Sequence, residues 1–215
     1  MINLKVEIDS FINLNEPCFR DLIKYGLYNV EAAAIRMYTN EGKEIIDFNR
    51  RLREGTEIQE DLTLRGLLNS ALKKLGGSFN FLGEVYRGIT VNSKNVKFFV
   101  DKHFSQKIIF YEQFVSTTKN SEVCYFGNTR YRIQSKTGVD ISSFSVNKFE
   151  EEVLFKAKTG FYITQFGYKC NEGYDTEFVL NKLNEGGIKT LYENDEIRNL
   201  LDKGSLKLYI DLSEI

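Results

Sequence analysis

The sequence predicts an α+β chain in which helices lead and strands follow. Residues 64–75 carry a leucine and alanine stripe at helical spacing. The pair Gly76 and Gly77 follows it directly. Beyond that pair the chain turns to short segments rich in Val, Ile, Phe, Tyr and Thr, punctuated by Gly, Asn and Lys, as strands are. With 215 residues and 42% apolar composition, the chain is long enough to bury a sizeable core as a single domain.

From Cys18 onward, Phe19, Leu22, Ile23, Leu27 and Val30 follow helical spacing, and residues 31–37 continue with good helix formers. One helix is therefore expected until Asn40 and Gly42 break it. A second helix over 43–53 places Ile45, Phe48 and Leu52 on one face, with Gly55 just past its end. The third bears Leu64, Leu67, Leu68, Ala71, Leu72 and Leu75, and is expected to stop at Gly76 and Gly77. Strands are expected near 83–91, 107–117, 129–134, 152–157, 161–166 and 206–212. The last alternates strictly through Leu206, Leu208, Ile210 and Leu212, the pattern of a half-buried antiparallel strand. Helices over 176–184 and near 194–202 separate it from the earlier strands. The expected organisation is one domain over 1–215, with a helical lobe to about residue 77 and a β core from about 78.

Lys plus Arg number 29 against 30 for Asp plus Glu, so no net field favours nucleic acid, an anionic membrane or an acidic substrate. Cys18, Cys124 and Cys170 are widely spaced, with only His103 to join them, which argues for reduced thiols and no metal. His103, in the stretch KHFSQK, is expected on the solvated surface. Lys5, Glu7 and Asp9 interrupt what would have to be the apolar core of a secretory signal, and no run reaches membrane-spanning length. The chain is expected to act in a cytosol, its own or one into which it is delivered.

Three short pieces look chemical when taken together. VYRGI at 85–89 sets Arg87 in a strand, with Gly88 allowing close approach of a ligand. FVSTT at 114–118 ends an apolar strand on Ser116, Thr117 and Thr118. FEEEVLF at 149–155 places Glu150, Glu151 and Glu152 directly before an apolar strand. Singly, each has an ordinary explanation: a strand arginine packs its stem, hydroxyls form turns, and acidic runs are solvated loops.

In this order and spacing, the three pieces resemble the signatures of the Arg-Ser-Glu class of toxin-like mono-ADP-ribosyltransferases. That class carries a strand arginine, a Ser-Thr-Ser-type strand end and a Glu-x-Glu pair before a Val-Leu strand. Thr118 stands where the class has its second serine, and still supplies a hydroxyl. The resemblance extends to AIRMYTNEGKEIIDFNRRLREG at 34–55 and YRIQSKTGVDI at 131–141, covering roughly residues 31–164. It implies a split β-sandwich of two antiparallel sheets with an N-terminal helical lobe and NAD+ in the cleft.

The resemblance also implies roles. Nicotinamide leaves the ribose as oxocarbenium-like charge develops, so the site needs an anion near the ribose and a clamp on the pyrophosphate. Glu152 is the expected anion, Arg87 the clamp, and Ser116 the residue that orients Glu152. Glu150 is expected on the same side of an extended segment as Glu152, holding or deprotonating an incoming guanidinium, with Glu151 facing away. Gly88, Thr117, Tyr38, Gln113, Phe126 and Arg130 are further expected NAD+ contacts. Phe144 or Phe149, in the loop SSFSVNKF at 142–149, is expected to meet the acceptor, although an aromatic beside a strand is more often core.

The implied function is transfer of ADP-ribose from NAD+, as co-substrate and without a metal, to an arginine of a target protein, as a toxin or effector does. Nucleic acid is the less expected target. Two other readings stand beside it: an NAD+ glycohydrolase, which needs Glu152 but not Glu150, and a catalytically silent binding module of the same fold.

Overall fold

The computed structural model describes residues 8–12, 15–40, 42–124, 127–170 and 195–215. Helices α1 (Pro17–Lys24), α2 (Asn29–Tyr38), α3 (Lys43–Glu54) and α4 (Gln59–Phe79) come first. There follow β1 (Gly83–Ile89), α5 (Val96–Ser105), β2 (Ile108–Tyr111), β3 (Val115–Thr118), β4 (Thr129–Ser135), β5 (Val139–Asp140), β6 (Glu152–Phe155), β7 (Thr159–Cys170), α6 (Asp195–Asp202) and β8 (Leu206–Glu214). No helix among the described residues is long and apolar enough to cross a membrane. The expected helix over 176–184 lies outside the described residues.

The chain divides into two compact units. The first comprises residues up to Leu82 together with Tyr111–Lys119 and Lys136–Thr159. Its core is the face of α4 read from the sequence, Leu64, Leu68, Ala71, Leu72 and Leu75, packed with Phe19, Leu22, Ile35, Phe48, Leu52, Phe114 and Leu154. The single helix expected from Cys18 onward is instead two. Gly26 adopts a left-handed φ of 85°, its N–H donates to Ile23 O at 2.9 Å, and the Leu27 N–H donates to Leu22 O at 3.3 Å. This is the paired bonding of a Schellman stop, which glycine accepts without steric cost. The break leaves Val30 exposed rather than in the core. Conversely, α4 does not stop at Gly76 and Gly77 but runs to Phe79. A Cβ at Gly76 would lie 3.0 Å from Asn80 Oδ1, a tight approach, and in ordinary contact, 3.9 Å, with Val139 Cγ2 of β5.

Two buried carboxylates tie these helices together. Glu31 accepts from its own N-terminal turn at Tyr28 N (2.7 Å), from Ser70 Oγ (2.6 Å) and from Lys74 Nζ (2.6 Å). Burial pushes the Glu31 carboxyl up, but the bonds from Lys74, Ser70 and Tyr28 outweigh it and the pKa is lowered. Asp61 receives a two-pronged Arg51 guanidinium at 2.6 and 2.7 Å and caps the Ile58 N–H at 3.1 Å. Glu31 thereby fixes α2 against α4, and the Arg51–Asp61 pair fixes α3 to the first turn of α4. Phe114, stacked on Phe48 and edge-on to Tyr38, anchors the start of β3 to the same core.

The strands of this unit are β3, β6 and β5, with β6 in the middle. β3 and β6 are antiparallel, with Ser116 opposite Leu154, Thr117 opposite Val153 and Thr118 opposite Glu152. The strand expected over 107–117 is therefore two, β2 and β3, separated at 112–114, where Phe114 enters the core.

The second unit comprises Gly83–Phe110, Asn120–Ser135 and Gly160–Ile215. Its strands run in the order β2, β7, β8, β4, β1. β8 alternates buried and half-buried residues along its whole length, as its sequence predicts. It pairs antiparallel with β7 and parallel with β4, so this sheet is mixed, whereas the resemblance implied antiparallel pairing throughout. No element was expected over 92–106, yet α5 lies there.

The helix α5 also corrects the reading of His103, which is buried rather than solvated. Val96, Val100 and His103 fall at i, i+4 and i+7, so the imidazole completes an apolar stripe. Its Nδ1 lies 2.8 Å from Phe99 O and must carry the hydrogen, since a carbonyl can only accept. Nε2 then accepts from the Tyr131 hydroxyl at 3.1 Å. Burial, with a small push from Lys102, lowers the His103 pKa from 6.5 to about 4 against the pull of the Phe99 carbonyl. Between about pH 4 and 6.5 the unfolded chain takes up a proton that the folded protein does not, so stability rises with pH across this window. The expected contribution is about 3 kcal/mol, present above pH 6.5 and lost as pH falls toward 4. Urea unfolding of wild type and His103→Gln across pH 4 to 7 checks it. The two should differ in slope within the window, and parallel curves would contradict a neutral buried imidazole.

Candidate active site

The first unit supplies two glutamates and a row of hydroxyls. On an antiparallel pair, directly opposed residues share a face and alternate residues return to it. Ser116, Thr118 and Glu152 therefore project to one side, with Ser116 diagonal to Glu152, within reach of a long side chain. Thr117 turns to the other side, where its hydroxyl donates to Val153 O at 2.6 Å and serves the strand pair rather than a ligand. Alternation singles out Thr118 beside Ser116, a distinction that three consecutive hydroxyls conceal in sequence. Glu152 is 4% exposed at the head of β6, and its carbonyl accepts the Ile141 N–H at 3.0 Å.

The expected extended run through the three glutamates begins only at Glu152. Glu150 ends a 3-10 turn, Lys148–Glu150, and Glu151 sits at φ 45° and ψ 49° in the left-handed region. Strand alternation thus does not set the relation between Glu150 and Glu152; a turn and a kink do. Glu150 is half-buried and accepts from Asn147 Nδ2. Glu151 is exposed, and its carbonyl accepts the Lys119 N–H at 3.2 Å.

The loop ahead of these residues is braced at its start. Lys119 Nζ lies 2.7 Å from Asp140 Oδ2, and Ser142 donates to Asp140 Oδ1 through Oγ at 2.5 Å and N–H at 3.1 Å. Burial pushes the Asp140 carboxyl up, but Lys119 and Ser142 outweigh it and the pKa is lowered. Within the loop the two phenylalanines part company. Phe149 is 89% exposed, whereas Phe144 is 2% exposed, edge-on to Phe79 and Tyr25. Phe144 is corrected from acceptor contact to core. Tyr38 is likewise core: it is buried against Phe114, with its hydroxyl accepting from Asn49 Nδ2 at 3.1 Å. Gln113 is buried between β2 and β3. Phe126 lies outside the described residues.

The second unit supplies the cations. Arg87 stands half-buried in β1 opposite Tyr131, and Gly88 stands opposite Arg130 on β4. Having no side chain, Gly88 leaves room beside Arg130. The buried Cys124 thiol is pushed up by burial, against a smaller downward pull from the Arg130 and Arg87 charges. Arg130 Nε is buried without a hydrogen-bond partner among the described residues. A buried donor left unsatisfied is costly. The register sets Arg87 on the face of Tyr131 and Arg130 on the other; a guanidinium with an unspent N–H suits an anionic oxygen such as a phosphate's.

The sequence model of a family described as NAD:arginine ADP-ribosyltransferase matches residues 18–184. The putative NAD(+)--arginine ADP-ribosyltransferase Mav of Mycobacterium avium (strain 104) is 33% identical over 138 residues, which are 62% of this chain and 16% of that protein. The chain thus spans a small part of the curated relative's length. Among solved structures, the ADP-ribosyltransferase HopU1 of Pseudomonas syringae pv. Tomato DC3000 aligns with a TM-score of 0.66 at 21% identity, over 100% of this chain and 89% of that one. Exoenzyme S from Pseudomonas aeruginosa, solved bound to carba-NAD and human 14-3-3 protein beta, aligns at 0.58 and 17% identity, over 98% and 88%. Plx2a, a toxin from Paenibacillus larvae, aligns at 0.59 and 15% identity over both chains entirely. These structures share the fold.

Proposed function

Because the chain belongs to the NAD:arginine ADP-ribosyltransferase family, we propose that it transfers ADP-ribose from NAD+ to an arginine side chain of a target protein. The observation that carries this reading is the buried Glu152, on one strand face with Ser116 and Thr118 and preceded by a second carboxylate, Glu150, on a turn.

Each residue has a chemical task. Arg87 holds the pyrophosphate of NAD+. Glu152 faces the ribose, where its negative charge stabilises the oxocarbenium-like transition state as the bond from C1′ to nicotinamide breaks and its electrons leave with the ring. Ser116 orients that carboxylate, and fixing it beforehand avoids reorganisation during the reaction. Glu150 takes a proton from the acceptor guanidinium as its nitrogen bonds to C1′. The acceptor approaches across the exposed Phe149. The proposed setting is a cytosol, the chain's own or that of a cell into which it is delivered as a toxin or effector is.

Arg87→Ala is expected to weaken NAD+ binding by about ten- to a hundredfold, the loss of a charge-assisted pair of hydrogen bonds. Isothermal titration with NAD+ on the folded variant checks this, and an unchanged dissociation constant removes Arg87 from the site. For the function itself, incubation with labelled NAD+ and agmatine, a small guanidine acceptor, should give labelled agmatine. Nicotinamide release without labelling would indicate a glycohydrolase. No NAD+ binding at millimolar ligand would leave a docking module.

A further inference from the structure

The loop at 142–149 is tied at its base by strand pairing, yet its middle is held by a different element, the C-terminal end of α2. Arg36 donates through Nη1 to Phe144 O at 2.6 Å and pairs with Glu16 just ahead of α1. Its side chain is 11% exposed. Thr39, one turn on, donates to Arg36 O at 3.2 Å and accepts the Val146 N–H at 3.2 Å. One loop carbonyl and one loop N–H, two residues apart, are therefore both bound by α2.

We propose that Arg36 and Thr39 are positioning residues that lock the loop so that Glu150 meets the acceptor guanidinium, an inference that rests on the arginine-transfer reading. At the base of the loop, β5 pairs with β6 and Ile141 N–H bonds Glu152 O at 3.0 Å, so Glu152 is held independently of the tip. Glu150 is not in the strand. It sits at the far end of the loop, fastened to Asn147, whose N–H in turn donates to Ser145 Oγ at 3.2 Å. The chain of bonds from α2 thus runs through Phe144 and Val146 to the segment that carries Asn147 and Glu150. Phe144 packing on Phe79 resists the same displacement. A planar guanidinium held by both a carboxylate and a carbonyl fixes its target's direction as well as its distance, which an ammonium does less well.

The two glutamates consequently have separate supports, and loosening the latch separates their activities. Arg36→Ala, Arg36→Lys and Thr39→Val are compared with wild type by rates of agmatine labelling and nicotinamide release from NAD+, and by amide hydrogen exchange across 142–149. Transfer is expected to fall by about ten- to a hundredfold in Arg36→Ala through a raised agmatine KM, the scale for a small misplacement of a reacting group, while nicotinamide release stays near wild type. Arg36→Lys recovers part of the loss. Thr39→Val moves the same way by less, and decides the matter if Arg36→Ala does not fold. Exchange quickens within the loop and not in β6. An unchanged ratio of transfer to hydrolysis in both Arg36→Ala and Thr39→Val overturns the latch, as does unaltered exchange across the loop. A wild type that releases nicotinamide but never labels agmatine counts instead against arginine transfer, and the exchange comparison still tests the latch.

Discussion

Replacing Glu152 with glutamine is expected to leave NAD+ binding nearly intact while turnover falls by about two to three orders of magnitude. The substitution keeps the shape of a side chain that is almost wholly enclosed at the head of β6, so packing against β3 survives. What it removes is the charge. A carboxylate withdrawn from water acts on developing positive charge far more strongly than a solvated one, and the role proposed for Ser116 is to keep it aimed without reorganisation. Nicotinamide release under saturating NAD+, alongside titration calorimetry, separates the two effects. Near-normal turnover would mean that the carboxylate facing the ribose lies elsewhere.

Glu150→Gln should behave differently. Transfer to an arginine side chain is expected to be lost, while NAD+ hydrolysis continues, because water needs no carboxylate to hold or deprotonate a guanidinium. Glu150 lies on a turn ahead of the strand, so its substitution leaves the β3 and β6 pairing alone. Glu151→Ala is the control. Its side chain is exposed, its backbone already pays for a left-handed conformation that alanine shares, and the contact it makes with Lys119 is through its carbonyl. Little change in either activity is expected for that variant.

Much of this was legible in the sequence where a signal repeats along the chain. The stripe from Leu64 to Leu75 and the alternation from Leu206 to Leu212 both name their buried faces, because each is a local period that tertiary structure only has to accept. What escaped depended on distant partners. Tyr25 and Gly26 do not read as a stop within a continuous apolar pattern, and the Schellman turn emerges from backbone bonding across the break. His103 hides α5 because an imidazole occupies a position that pattern reading reserves for an aliphatic residue, and the Phe99 carbonyl together with the Tyr131 hydroxyl, on a separate strand, makes its burial tolerable.

The chemical residues show the same division. The three motifs are short and contiguous, so their residue types were plain. The fine geometry was not. Three adjacent glutamates before a strand look extended, yet strand bonding begins only at the Glu151 and Glu152 carbonyls, while the Glu150 and Glu151 N–H groups close a turn onto Asn147 and Lys148 that ends in a left-handed kink. Phe144, between two serines, and Phe149, between Lys148 and Glu150, share one loop, and the Arg36 guanidinium with the Phe79 and Tyr25 rings holds the first inward while the second stays exposed.

The proposed transfer of ADP-ribose to arginine needs two glutamates in separate roles. Nicotinamide release measured beside agmatine labelling for wild type, Glu150→Gln and Glu152→Gln separates those roles in one experiment. Both activities are expected in wild type, hydrolysis without transfer in Glu150→Gln, and neither in Glu152→Gln. Equal loss of both activities in Glu150→Gln, or transfer that survives it, would rule out separate roles for the two glutamates.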